Sequence, residues 1–175
     1  VVFNGSSSLI NDNFNIAADV PYTLVLVFKK ETSPSLSWLI DSRVITSGRN
    51  TVYSNSAGNI TTERYAVSFP AEVDYRFEIA TNNGISENVK DILIINFDGA
   101  NSSISAHSNT QPNGVFTEKS LGTGEMDGIT VGSLYSGTST HALNGMIYEI
   151  IYFDGIITTA DTTTVRNYLK AKWNI

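Results

Sequence analysis

The chain contains no cysteine. That excludes thiolate metal sites, cysteine nucleophiles and dithiol redox motifs together, and no disulfide can hold the fold. Charge is also scarce: Asp, Glu, Lys and Arg make up 16% of the residues, against about 25% in an average domain. Ser, Thr and Asn fill the gap. A net charge of −6 and a pI of about 4.8 leave no basic footprint, which argues against nucleic acid as a partner. Long apolar runs are missing too. The longest, Leu24 to Phe28, has five residues, whereas a membrane helix needs about 20, so no membrane insertion is expected. There is no Gly-x-Ser-x-Gly elbow, His-Glu-x-x-His helix, phosphate-binding Gly-rich Lys loop or dinucleotide fingerprint. The two histidines, His107 and His141, lie far apart in Ser/Thr-rich contexts and read as loop residues.

What is present is a succession of short β-type runs separated by Gly, Asn, Ser and Asp clusters, the habit of a sandwich or jelly roll. Strands are expected at Tyr22 to Lys29, Trp38 to Ile40, Tyr65 to Phe69, Tyr75 to Ala80, Ile92 to Phe97, Ile129 to Val131 and Met146 to Phe153. Asp98-Gly99, between ILIINF and ANSSISA, predicts a type I′ hairpin. The polar stretch Thr46 to Thr62 fits either a hairpin or a long loop, and Asn101 to Asp127 reads as a loop. With 175 residues, one core can bury roughly 70% of the unfolded surface, so residues 1–175 are expected to form a single domain. The opening VVFNGSSSL already reads as strand and turn, which suggests a domain taken from a longer protein.

Helical period is confined to the C-terminus. Thr158 and Asp161 have capping-box spacing, which starts a helix near Thr159. Val165, Tyr168, Leu169 and Trp173 form one predicted apolar stripe, with Arg166, Asn167 and Lys170 pointing away. Trp173 and Tyr168 are expected to pack rather than to touch a ligand.

The closing segment GMIYEIIYFDGIITTADTTTVRNYLKAKWNI, Gly145 to Ile175, resembles that of the laminin G-like and pentraxin-like branch of the concanavalin A-like lectin/glucanase superfamily. An apolar strand after a tight Gly, a turn, a Ser/Thr-rich helix start and a Tyr-Leu-x-x-Lys-Trp-like ending carry the likeness. Further pieces follow the family's order: Val2, Phe3 and Gly5, then YTLVLVFK, YRFEIAT without the family's Trp-His pair, ILIINFDGA and GITVGS. The resemblance implies an all-β, antiparallel two-sheet jelly-roll sandwich with a short C-terminal helix. It also implies a lectin-like module, extracellular, on a cell surface or in a virion.

The glucanase branch of that superfamily places paired carboxylates on one strand. Glu72, Asp74 and Glu78 imitate the pattern, but Arg76 and Phe77 stand where the second Glu is required, so the chain reads as non-catalytic. No cofactor is expected, and calcium is the one ion left open. Its candidate oxygen ligands are Asn11, Asp12, Asn13 and Asn15, whose run lacks the EF-hand glycine and glutamate, and Asp41 or Asp127. Each of these is more often a turn former than a calcium ligand.

A sugar site needs an aromatic face and neighbouring hydroxyl-binding groups. Candidates are Tyr53, Asn55, Asn59 and Tyr65 in one region and Tyr135, His141 and Asn144 in another. Trp38 reads either as core or as part of the concave sheet. Sequons at Asn4, Asn59 and Asn101 follow from the abundance of Asn, Ser and Thr. The expected function is binding of a cell-surface glycan by a bacterial surface protein or bacteriophage tail adhesin. A structural or protein-interaction role in a virion or surface assembly, with protein partners, is the alternative, and a glycan hydrolase or lyase the third.

Overall fold

The computed structural model describes residues 1–17, 20–31, 36–44, 49–55, 60–65, 76–78, 86–98, 101–106, 114–115, 126–134 and 141–175. Among them run twelve strands and one helix: β1 Val2–Asn4, β2 Leu9–Ile16, β3 Tyr22–Lys30, β4 Leu36–Val44, β5 Arg49–Asn55, β6 Ile60–Tyr65, β7 Arg76–Glu78, β8 Lys90–Phe97, β9 Ser103–Ala106, β10 Gly114–Val115, β11 Met126–Val131, β12 Asn144–Phe153 and α1 Thr159–Trp173. Two antiparallel sheets stack face to face, ordered β1-β12-β3-β8-β9-β10 and β2-β11-β4-β5-β6-β7. This is the jelly-roll sandwich expected from the sequence, closed by the expected helix.

The run Leu24–Phe28 is apolar at every position because β3 is covered on both faces. Leu24, Leu26 and Phe28 point into the core between the sheets with Leu39, Ile40, Val52, Leu93 and Ile95. Val25 and Val27 point the other way and meet Ile92, Ile94 and the helix residue Leu169. Each such side chain stabilises the fold by about 1.5–3 kcal/mol on burial.

The helix starts as its capping box predicts. The Thr158 hydroxyl accepts from Asp161 N at 3.1 Å, and the Asp161 carboxylate accepts from Thr158 N at 3.4 Å. Its buried face differs from the predicted stripe. Tyr168 is 55% exposed, while Leu169 is fully buried, with Val165 and Trp173 packed beside it. Helical geometry turns each residue by about 100°, so a stripe centred on Leu169 leaves Tyr168 at its side. Arg166, expected to point away, is instead half-buried and donates to Ser105 Oγ on β9 at 2.6 Å.

Other boundaries moved as well. The stretch 46–62 holds the outgoing strand and part of the return strand of a hairpin, β5 paired with β6. The strand expected at Tyr65 to Phe69 lies upstream, ending at Tyr65, and residues 66–69 are outside the described residues. The stretch 101–127 is not one loop, since it carries β9, β10 and the start of β11. The β8–β9 hairpin forms, but its turn closes with Asn101 N donating to Asp98 O at 2.9 Å. That is one residue later than the Asp98-Gly99 pair predicts. The Ser102 hydroxyl accepts from Asp98 N and helps to set this register.

Candidate functional site

The helix covers the outer face of the first sheet, so the outer face of the second sheet is the opposite surface of the sandwich. A bulge in β4 decides what stands there. Trp38 pairs with Tyr53 but Ile40 pairs with Val52, so the extra residue Leu39 joins Ile40 in the core. Trp38 and Asp41 thereby turn outward together, re-aimed by the bulge.

On that outer face the Trp38 and Tyr53 rings lie 4.5 Å apart, tilted by 40°, and are only 6% and 5% exposed. One row further along the sheet, Thr130, Asp41 and Thr51 are paired side by side, and all three are buried. The Thr51 hydroxyl donates to Ile40 O at 3.2 Å. The Thr130 hydroxyl has no hydrogen-bond partner among the described residues.

Cross-strand partners share a face, so backbone register extends this surface over two more strands, β6 and β7. Thr51 pairs with Glu63 and Glu63 with Arg76; Tyr53 pairs with Thr61 and Thr61 with Glu78; Arg49 pairs with Tyr65. Two tyrosines, two arginines and two glutamates therefore occupy positions on one sheet face.

A second segment joins it from a distance in sequence. Leu143 N donates to Gly132 O, Gly132 N donates to Leu39 O, and Ala142 bridges Trp38 in parallel. Gly132 is required in this crossing. Its φ is +79°, and a Cβ there would collide with the Phe3 ring.

The sequence candidates fall as follows. Tyr53 sits beneath the outer face against Trp38, Asn55 ends β5 opposite Leu36, and Tyr65 ends β6 opposite Arg49. His141 adjoins the Trp38 bridge. It is half-buried, and its Nδ1 has no hydrogen-bond partner among the described residues. Asn144 belongs to the other sheet, paired with Asn4, and its carbonyl accepts from Glu31 N at 2.9 Å. Asn59, Tyr135 and His107 lie outside the described residues.

Of the acidic positions, Glu72 and Asp74 lie outside the described residues, and Glu78 ends β7 opposite Thr61. Asp41 and Asp127 lie within β4 and β11 rather than in turns. Asn11 to Asn15 form part of β2, where alternation puts Asn11, Asn13 and Asn15 on one face and Asp12, the one charged candidate of the run, on the other. Asn11 Oδ1 accepts from Asn13 N, and Asn15 Oδ1 accepts from Gly128 N. Among the described residues no three His, Asp or Glu are gathered so as to share a metal ion.

Residue-by-residue reading missed Thr51, Glu63, Arg76 and Thr130. Strand alternation in β5 and β6 could have put Arg49, Thr51 and Tyr53 on one face. Nothing local signals the β4 bulge that aligns them with Asp41.

No protein family and no curated protein matches this sequence. Solved structures do match the fold. The Ruminococcus gnavus IT-sialidase CBM40 superposes with a TM-score of 0.64 at 13% identity, over 90% of this chain and 97% of that one. The same module bound to α2,3-sialyllactose gives 0.61 at 15% identity over the same shares. A heptameric SAP-like pentraxin from Limulus polyphemus gives 0.57 at 11% identity, covering 89% of this chain and 74% of the other. Domains LG4-5 of the mouse laminin α1 chain give 0.57 at 13%, covering 87% and 41%. The chain thus has the concanavalin A-like jelly-roll fold shared by this CBM40 module, the pentraxin and the laminin G domains. The resemblance read from Gly145 to Ile175 is borne out at the level of fold. Among the described residues, no helix is long and apolar enough to cross a membrane.

Proposed function

We propose that the chain is a non-catalytic carbohydrate-binding module that takes cell-surface glycans on the outer face of its second sheet. The observation that carries this reading is the register of β5, β6 and β7. It collects Arg49, Tyr53, Glu63, Tyr65, Arg76 and Glu78 on the face opposite the helix. Tyr65 would supply stacking surface, since Tyr53 is buried against Trp38, while the arginine and glutamate positions would supply the directional bonds that fix a sugar's acid groups and hydroxyls. His141, next to the Ala142–Trp38 bridge, and Asn55, at the end of β5, would stand at the margins of this face, while Tyr135 and Asn59 remain candidates from the sequence. Asn144 would contribute only from the adjoining sheet.

Two arginine positions on one face suit an acidic glycan. The fold neighbour bound to α2,3-sialyllactose supports a sialylated sugar as the first ligand to try. The biological setting that fits is the surface of a bacterium or a bacteriophage tail. Titration with 3′-sialyllactose, followed by backbone amide shifts, tests the site. Shifts confined to β4–β7 and residues 141–144 are expected, whereas silence across sialylated and neutral glycans by a folded chain removes the reading.

One observation favours the structural alternative. Val1 and Val2 beside β12, and Leu9 and Ile10 on the neighbouring edge of the second sheet, are all exposed. They flank a groove lined by Phe3, Val131, Ile147 and Ile150. An apolar sheet edge of this kind suits a protein contact.

A further inference from the structure

The strand at the centre of the proposed binding face is gripped from beneath. On its outward side β5 presents Thr51 and Tyr53; on its inward side stand Asn50, Val52 and Ser54. Both polar inward residues are claimed by β3 of the opposite sheet. Tyr22 Oη donates to Asn50 Oδ1 at 3.1 Å, and Lys30 Nζ donates to Ser54 Oγ at 3.1 Å. All four side chains are fully buried. Tyr22 is the first residue of β3 and Lys30 the last, so the two contacts lie at opposite ends of that strand. Asn50 is also held sideways: its N–H donates to Ser42 Oγ at 2.8 Å, and the same hydroxyl donates to Asn50 O at 3.3 Å.

A lysine in this position is costly for stability alone. Burial pulls its ammonium below the ordinary lysine range, with the Glu87 charge acting against that pull. An apolar side chain of similar length would fill the same space without desolvating a charge, so buried polar groups of this kind are better accounted for by specificity of pairing. The specificity needed here is clear. A slip of one residue along β5 would turn Thr51 and Tyr53 into the core and bring Asn50 and Ser54 to the surface. The same slip would break both cross-sheet bonds at once and set Thr51 and Tyr53 against β3, side chains of different length from the Asn50 and Ser54 to which the Tyr22 hydroxyl and the Lys30 ammonium are matched.

We propose that Tyr22 and Lys30 are positioning residues that key the register of β5 and so hold its outer face in the binding-competent arrangement. The proposal rests on the glycan reading for its functional consequence, but the register keying stands on the two cross-sheet contacts. If the competent arrangement is only partly populated, apparent affinity falls in proportion to its population.

The test uses the full chain as Tyr22→Phe, Lys30→Met and the double variant, with Ser54→Ala as a milder version should the double variant fail to fold. Amide hydrogen exchange of β5 is compared with that of β8, alongside 3′-sialyllactose titration. Removing both bonds is expected to speed exchange across Asn50–Ser54 about tenfold relative to Ile92–Ile95 and to weaken binding about tenfold. Ser54→Thr, which keeps the hydroxyl that Ser54→Ala removes, should leave both readouts near those of the unsubstituted chain. Equal acceleration in β5 and β8 would mean general destabilisation and overturns the proposal, as does selective loosening of β5 with affinity unchanged. Should the unsubstituted chain bind no glycan while β5 loosens selectively, the glycan reading and the functional role tied to it fall, and the register keying survives.

Discussion

The indole Nε1 of Trp173 donates to Glu149 Oε2 at 2.7 Å, tying the last turn of α1 to β12. Lys172 Nζ reaches the other carboxylate oxygen at 2.8 Å, and Lys90 Nζ donates to Trp173 O at 2.8 Å. A bulge between Ile147 and Glu149 lets Tyr148 and Glu149 both serve this contact, with the Tyr148 ring 5.2 Å from Trp173. One carboxylate thus secures the end of the helix that packs the outer face of the first sheet.

Burial works to raise the Glu149 carboxyl, but the hydrogen bonds from Lys172 and Trp173 and the Lys172 charge outweigh it and hold the group below the ordinary glutamate range. A depressed carboxyl contributes stability that is complete above the unfolded value, about 4.3, and is lost as pH falls through the folded value. Glu149→Gln should therefore lower the melting temperature at pH 7, and the gap from the unsubstituted chain should close as pH drops below about 4. A gap that stays constant from pH 7 to pH 3 would show that the charge plays no part.

Leu169→Ala should cost about 2–5 kcal/mol in urea unfolding, because it empties the centre of the helix–sheet contact. Tyr168→Ala, one residue away but more than half exposed, should stay within about 0.5 kcal/mol. Similar losses for both would contradict the face assigned to α1.

Thr158→Ala removes the acceptor for Asp161 N and should cost about 1 kcal/mol. Thr158→Ser should recover most of it. Helical protection at residues 160–163, read by amide exchange, reports the cap separately from global stability.

Gly132→Ala meets two obstacles, a left-handed backbone and the Phe3 ring. Its cost should exceed the roughly 1–2 kcal/mol of the backbone penalty alone. Adding Phe3→Leu should make the pair less destabilising than the sum of the single changes. Strict additivity in a double-mutant cycle would refute the contact.

If the glycan reading holds, Arg76→Ala and Tyr65→Ala should each weaken sialylated-glycan binding about tenfold with little change in melting temperature. Lys170→Ala, on the helix side of the sandwich, serves as the control. Equal effects from all three would argue against the outer face of the second sheet as the site.

Much of this architecture is written in short-range signals. The Thr158–Asp161 cap, the apolar run of β3 and the closing segment that identified the jelly roll all depend on residues close in sequence. Capping bonds and side-chain periodicity act within one turn or a few strand positions, so the chain alone determines them. Which way Arg166 and Tyr168 point was not decided there, because it depends on where the helix axis settles over Val25, Ile92 and Ile94. The Asp98 turn likewise yielded its register to a contact with Ser102.

The candidate site depends still more on the tertiary structure. Tyr53 and Tyr65 were visible as loose aromatics. Their alignment with Asp41, Thr130 and Arg76 arises from the β4 bulge and from pairing across five strands. His141 is brought next to β4 because its neighbour Ala142 bridges Trp38. Those pairings join residues far apart along the chain, and the order in which strands lie side by side is selected by burial of the common core, which no local segment encodes.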